Sequence, residues 1–282
     1  MFTDAEKSRQ WFERYANSFD LANPMIQMKY RHSLDVMNIG ERLTEALAWP
    51  EAETLTGVAA CLLHDTGRFS QYRDFGTYYD RASVDHGDRG YEVLKAFFPP
   101  EFSDDEGREA VLQAVRCHNK KELPPALPAA VLPFCRLARD ADKLDVFALV
   151  QRRMNDGTVA DLLPRHKVDA PLSDALLDEV EKNWSGSYKN ASSLMDFVLI
   201  QLTWVLDLNF APSLSMLEES GVLPRLRARF PGDARVQGVL DGLFARMEAH
   251  GSALLQAARP ASQCRRADPD GEKTGQRTPH FI

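Results

Sequence analysis

Apolar residues recur every three or four positions along almost the whole chain, and this helical period is the feature that most constrains the fold. No stretch shows the sustained two-residue alternation, bounded by hairpin turns, that strands require. We therefore predict an all-α protein. The candidate helices span about 4–19, 25–48, 51–64, 86–98, 105–119, 132–155, 173–184, 191–208, 212–229 and 234–257.

Two segments interrupt this pattern. Residues 64–85 are rich in Gly, Tyr and charge without clean periodicity, which predicts a functional loop with at most one short helix. The composition changes again near the end of the chain, where Pro, Gly and charged residues replace apolar ones. We predict a single helical unit over 1–257 and a disordered tail over 258–282.

The charge balance argues for a small-molecule partner. Lys and Arg total 34 against 41 Asp and Glu, a net charge of -7, whereas nucleic acid or an anionic membrane surface would call for a clustered basic surface. The sequence has neither a leader pattern nor an apolar run of about 18 residues, so we expect a cytoplasmic protein. The four cysteines form no CxxC pair, which argues against a disulfide framework or a thiolate zinc site.

The histidines carry the chemical signal, and four of the seven lie in the first half of the chain. His32 lies on the same helical stripe as Val36 and Leu43, so its imidazole faces the core. His64 and Asp65 are adjacent at the end of an apolar run, in CLLHDTGRF. These positions predict buried polar side chains that need partners.

Two further polar residues also lie on apolar helical faces. His118 continues an apolar face that includes Val111 and Val115, and Asp142 shares a face with Cys135 and Ala138. Buried imidazoles and carboxylates together suit a divalent metal ion, because a cation neutralises the carboxylates. Since the residues arise from at least four helices, the sequence predicts a metal site inside a helical bundle.

The order His, His-Asp and distant Asp on successive helices resembles the HD superfamily of metal-dependent phosphohydrolases. The residues that carry this resemblance are His32, His64, Asp65 and Asp142, the last within ADKLD. His86 in VDHGDRGYEVL and His118 in AVRCHNK resemble the two additional histidines of members that hold two metals. The resemblance covers about 25–150 and implies an all-α HD-domain bundle with further C-terminal helices packed on it.

The resemblance also implies roles for individual residues. Asp65 would bridge two divalent ions (Mn, Fe, Ni, Co, Zn or Mg), which would supply a hydroxide to attack a phosphate ester. His32, His64 and Asp142 would hold one ion, and His86 and His118 the other. The catalytic candidates are Asp65, Arg68 and Lys120. The candidates for binding a small phosphorylated molecule or nucleotide are Arg68, Lys120, Lys121, Lys143 and Tyr72.

Other side chains are candidates to support the ligand histidines or to line the substrate pocket. Asp145, Asp85 and Asp88 are candidates to hydrogen-bond the ligand histidines, although a surface position is the commoner one for such residues. Trp184, Tyr188 and Lys189, in the second half of the chain, are candidates for a wall of the substrate pocket.

The ligand set leaves a second activity open. Diiron oxygenases of the same superfamily use the same ligand order, so the chain could activate dioxygen instead of hydrolysing phosphate esters. A non-enzymatic scaffold would be expected to have lost ligands, and none is missing. The sequence has no GxGxxG, GxxxxGK[ST], GxSxG or HExxH motif, which removes the usual support for dinucleotide, P-loop, serine-hydrolase and zincin chemistry.

Overall fold

The computed structural model describes residues 1–2, 4–161 and 168–258. Regular structure in this part is helical apart from one isolated bridge, Phe2 to Ser103, so the all-α prediction is confirmed. Its α-helices are α1 (Ala5–Asn17), α2 (Pro24–Ala46), α3 (Glu51–Leu63), α4 (Thr66–Phe75), α5 (His86–Phe97), α6 (Asp105–Cys117), α7 (Leu132–Asn155), α8 (Asp174–Asn183), α9 (Leu194–Thr203), α10 (Ala211–Glu219), α11 (Val222–Arg227) and α12 (Ala234–Ala257).

The segment 64–85, predicted as a loop with at most one short helix, contains the ten-residue helix α4 and a 3₁₀ turn at Asp80–Ala82. The sequence of α4 lacks a regular apolar stripe because polar residues such as Ser70 and Gln71 are buried beside Phe69. Gln71 donates to Asp80, Ser83 and the carbonyl oxygen of Val84, so inward polar side chains replace the usual apolar stripe.

Two other predicted helices are shorter than expected. The helix predicted over 191–208 begins at a capping box formed by Ser193 and Asp196 and changes to a 3₁₀ turn at Trp204–Asp207. The helix predicted over 212–229 is divided into α10 and α11 at Gly221, whose φ of 63° is incompatible with a continuous right-handed helix.

The central helix of the N-terminal half is α3, whose residues Thr56–Leu63 are all buried. It contacts α2, α6 and α7, and α5 extends this group by packing on both α4 and α6. A helix that is apolar on every side must be surrounded, which explains why neighbouring helices enclose α3. The last residues of α3 therefore end in the middle of the bundle.

Two buried residues of α7 connect separate parts of the fold. Arg139 donates to the carbonyl oxygens of Cys117, His118 and Lys120, which caps the C-terminal end of α6 with a positive charge. Asp140 accepts from the backbone N–H of Phe210 and from the hydroxyl of Ser213, at the start of α10. These contacts fix α7 between the two halves of the chain.

The apolar core comprises two clusters, one centred on the N-terminal helices and one on α7 to α12, and Trp49 packs against both. The single helical unit over 1–257 stays a prediction, and the predicted tail lies outside the described residues from 259 onward. Of the helices described, none combines the length and hydropathy needed to cross a membrane.

A close backbone contact sets the distance between α4 and α5. A Cβ atom placed on Gly67 would lie 2.2 Å from the carbonyl oxygen of His86 and 2.6 Å from the nitrogen of Gly90. Only glycine permits this approach, because the opposing atoms are backbone and cannot rotate away. The contact brings the start of α5, and with it His86, to the end of α3.

We predict that Gly67→Ala lowers the free energy of unfolding by about 1–3 kcal/mol, because the added methyl group must separate α4 from α5. Gly238→Ala is the matched control, since a Cβ at Gly238 in α12 meets nothing within 4 Å. Denaturant unfolding of both variants measures the difference. Equal stabilities would show that the close contact does not constrain the fold.

Candidate metal centre

Three side chains from three helices form the first group. His32 lies in the middle of α2, His64 follows the last residue of α3, and Asp142 lies in the middle of α7. The Nε2 atom of His32 lies 3.1 Å from His64 Nε2 and 3.1 Å from Asp142 Oδ1. Atoms at these distances are close enough to share one metal ion.

A second group lies beside the first. His86 is the first residue of α5, and His118 follows the last residue of α6. Their Nε2 atoms are 3.0 Å apart. The ring of His118 also contacts that of His64 edge to face, with centroids 5.0 Å apart, so the two pairs of histidines are adjacent.

Asp65 lies between the two pairs. Its Oδ2 is 3.5 Å from the Nε2 atoms of both His32 and His64, while its Oδ1 is 3.6 Å from His86 Nε2 and 3.5 Å from His118 Nε2. Asp65 precedes α4 but makes no capping hydrogen bond with its side chain. Both carboxylate oxygens are therefore directed at histidine nitrogens, one pair each.

The outer nitrogen of every histidine is held by an acceptor. His64 Nδ1 donates to the carbonyl oxygen of Cys61, and His118 Nδ1 to that of Val115, each over 2.7 Å. His32 Nδ1 contacts Asp145 at 2.6 Å and His86 Nδ1 contacts Asp80 at 2.7 Å. With their protons on Nδ1, the rings direct Nε2 lone pairs at one another, an arrangement that a shared cation stabilises.

Electrostatics around the rings agrees with a cation site. Burial lowers the pKa of His86 to about 3 and also lowers the pKa of His64, so both rings are neutral and able to bind metal at pH 7. Burial and Lys29 act to lower the pKa of His32, but hydrogen bonds to Asp142 and Asp145 raise it to about 9. At pH 7 the carboxylates thus keep a proton on His32 in the metal-free protein, and a metal ion would replace that proton.

The donor set therefore fits divalent metal ions: neutral imidazole nitrogens and carboxylate oxygens, without thiolates, suit Mn, Fe, Co, Ni or Zn. The histidines and Asp65 are at most 5% exposed, whereas the side chain of Asp142 is 24% exposed. The site consequently opens to solvent on the side of Asp142, where a substrate can approach.

Two cations adjoin Asp65. Arg68 Nε lies 3.5 Å from Asp65 Oδ1, and its guanidinium donates to Asp80 and to the carbonyl oxygen of Tyr78. Lys29 Nζ lies 2.7 Å from Asp65 Oδ2. Arg68 was a candidate from the sequence, but Lys29 was not.

The other candidate substrate-binding residues lie in different environments. Lys120 Nζ pairs with Asp85 and Asp88, at 2.7 and 3.1 Å, and Lys143 Nζ lies 2.8 Å from Asp207. Lys121 is exposed. Tyr72 is half-buried and its ring centroid lies 4.9 Å from that of Tyr78. Substrate binding by these four residues stays a prediction.

The structure also shows which acidic residues hydrogen-bond the ligand histidines. Asp145 hydrogen-bonds His32, as considered from the sequence, whereas Asp85 accepts from the backbone N–H of Asp88 and so caps α5. The partner of His86 is instead Asp80, which no sequence pattern marked. Burial acts to raise the pKa of Asp80, but the hydrogen bond with His86 and the charge of Arg68 hold that pKa well below its usual range.

The model of the HD domain family matches residues 30–147. This region, less than half of the chain, is similar to an HD domain. No curated protein and no solved structure matches the chain significantly. The matched region includes all six predicted metal ligands, and the HD domain is typical of metal-dependent hydrolases that bind divalent ions. Lys29 lies one residue before the matched region.

We predict that Asp145→Asn weakens the binding of Mn²⁺ roughly 10–100-fold, because the loss of its charge leaves His32 less firmly oriented and less basic. Asp241→Asn, the same change at a side chain that is 68% exposed on α12, serves as the control. Calorimetric titration of metal-free protein measures both affinities. Equal affinities in the two variants would contradict a supporting role for Asp145.

Proposed function

We propose that this protein is a metal-dependent phosphohydrolase whose six-residue centre holds two divalent ions. The observation that carries this proposal is the position of Asp65, which directs one carboxylate oxygen at His32 and His64 and the other at His86 and His118. His32, His64 and Asp142 would hold one ion, and His86 and His118 the other. Bound ions would lower the pKa of a water molecule and neutralise charge on the phosphoryl oxygens.

The protein's own groups would orient the substrate. The Arg68 guanidinium is fixed by Asp80, Gln71 and a backbone carbonyl group, yet its buried Nε has no hydrogen-bond partner among the described residues. A fixed guanidinium beside the site suits recognition of phosphate oxygens. Arg68 would therefore hold the phosphoryl group against the ligands of the centre.

Aromatic residues border the same region. Tyr78 places its ring 5.6 Å from the guanidinium carbon of Arg68, and its hydroxyl donates to the carbonyl oxygen of Met25, which fixes the ring. Tyr188 is 43% exposed, and it lies close enough to Asp142 and Arg68 for their charges to shift its pKa in opposite directions. These rings support a small phosphorylated organic molecule, including a nucleotide, as substrate.

We predict metal-dependent release of phosphate from a panel of phosphomonoesters, nucleotides and one generic diester, assayed with Mn, Ni, Co or Mg. Asp65→Asn should reduce turnover by about 10³-fold or more, because the centre loses the charge that both histidine pairs share. The exposed Asp241→Asn change should leave turnover unaffected. Failure of every metal to support turnover, together with iron in the purified protein and an oxygen-dependent reaction, would favour the diiron oxygenase instead.

We predict that Arg68→Met lowers kcat/KM about 10–100-fold, the loss expected when one charge-assisted contact to phosphate disappears. Lys120→Met should have a smaller effect, because Asp85 and Asp88 already neutralise that ammonium group. Steady-state kinetics of both variants with the same substrate test this order. A larger loss for Lys120→Met would transfer the phosphate-binding role from Arg68 to Lys120.

A further inference from the structure

Lys29 occupies a position that the six-residue centre does not explain. It lies on α2 one helical turn before His32, and its side chain is 14% exposed. Its Nζ is 2.7 Å from Asp65 Oδ2, closer than either histidine of that pair, which lie 3.5 Å away. The ammonium group therefore occupies the side of Asp65 that faces the first pair of histidines.

This ion pair competes with a metal ion for one oxygen atom. In the proposed centre Asp65 Oδ2 would be a ligand of the ion held by His32 and His64. An ammonium group within hydrogen-bond distance of the same oxygen would be repelled by the divalent charge, more strongly because Asp65 is only 2% exposed. A divalent ion at Oδ2 would therefore weaken the hold of Lys29 on that oxygen.

The two cations beside Asp65 also differ in freedom. Three groups other than Asp65 fix the Arg68 guanidinium, whereas Asp65 is the sole ion-pair partner of Lys29 within the described residues. Lys29 Nζ also lies over the face of the Tyr78 ring, 5.7 Å from the ring centroid. A lysine on a flexible stem can move its charge by several ångströms while its backbone stays in place.

We propose that Lys29 is a displaceable counter-ion. It neutralises Asp65 in the metal-free protein and, when divalent ions hold Oδ2, moves along the Tyr78 face to bind the phosphoryl group of the substrate. The counter-ion step follows from the contact with Asp65 alone. The phosphate-binding step rests on the proposed function.

The first test measures metal affinity and needs no enzymatic activity. Calorimetric titration of the metal-free protein with Mn²⁺ should show about tenfold tighter binding, or more, for Lys29→Met, because the ion no longer displaces a cation. Lys29→Arg keeps the charge and should bind Mn²⁺ no more tightly than the wild type does. The control is Lys95→Met, which removes an ammonium group that also lies over a tyrosine ring, on α5. Unchanged or weaker affinity in Lys29→Met would overturn the proposal.

The second test uses the unaltered protein, so it does not depend on how the variants fold. Acetylation of lysines, quantified by mass spectrometry, should label Lys29 several-fold faster when Mn²⁺ is bound, because the ammonium group has left Asp65. Addition of inorganic phosphate to the Mn²⁺-loaded protein should slow the labelling again. Labelling of Lys29 that does not increase with Mn²⁺ would refute displacement.

The outcomes separate this proposal from the proposed function. Tighter metal binding in Lys29→Met, with no phosphate ester hydrolysed by the wild type, would keep the counter-ion and reject the phosphohydrolase. Hydrolysis by the wild type, with unchanged metal affinity in Lys29→Met, would do the reverse. If both hold, Lys29→Met should also raise KM more than it lowers kcat, and inorganic phosphate should bind its Mn²⁺-loaded form at least tenfold more weakly.

Discussion

A carboxylate as deeply buried as Asp65 requires compensating charge or hydrogen bonds around it, and much of the surrounding structure supplies them. Burial acts to raise its pKa, but Lys29 and His64 hold that pKa well below its usual range. The residue is placed there by the junction of α3 and α4, which directs a polar side chain into the bundle. The four histidines and two cations reach it from α2, α4, α5 and the ends of α3 and α6.

That convergence also depends on two residues that contact ligand residues only at their backbone carbonyl oxygens. Gly67 permits the close approach of α4 and α5, and Arg139 caps the end of α6 from which His118 projects. Arg139 also pairs with Asp207 at 2.5 Å, so the same side chain connects the helix carrying Asp142 to the C-terminal half. The added helices thus stabilise α7, and α7 in turn holds Asp142 against His32.

The helical pattern was sufficient to predict the fold class and to identify His32, His118 and Asp142 as inward-facing, whereas His86 was a candidate only through the resemblance to the HD superfamily. His32 and Asp142 lie on apolar stripes, and a polar residue on such a stripe is visible in the sequence. Asp80 and Lys29 were missed for a different reason. Asp80 lies in a segment without periodicity, and Lys29 is one of 34 basic residues, so only the three-dimensional structure shows that each contacts the centre.

The contrast between the two cations follows from how each is held. Arg68 lies on α4, and its contacts to Asp80 and Gln71 come from the same short stretch of chain, so groups other than Asp65 hold it in place. Lys29 comes from another helix and depends on Asp65 itself. A centre that must be stable before metal binds, and positively charged afterwards, gains from one cation of each kind. Arg68 preserves the shape of the site, while Lys29 moves when the charge at Asp65 changes.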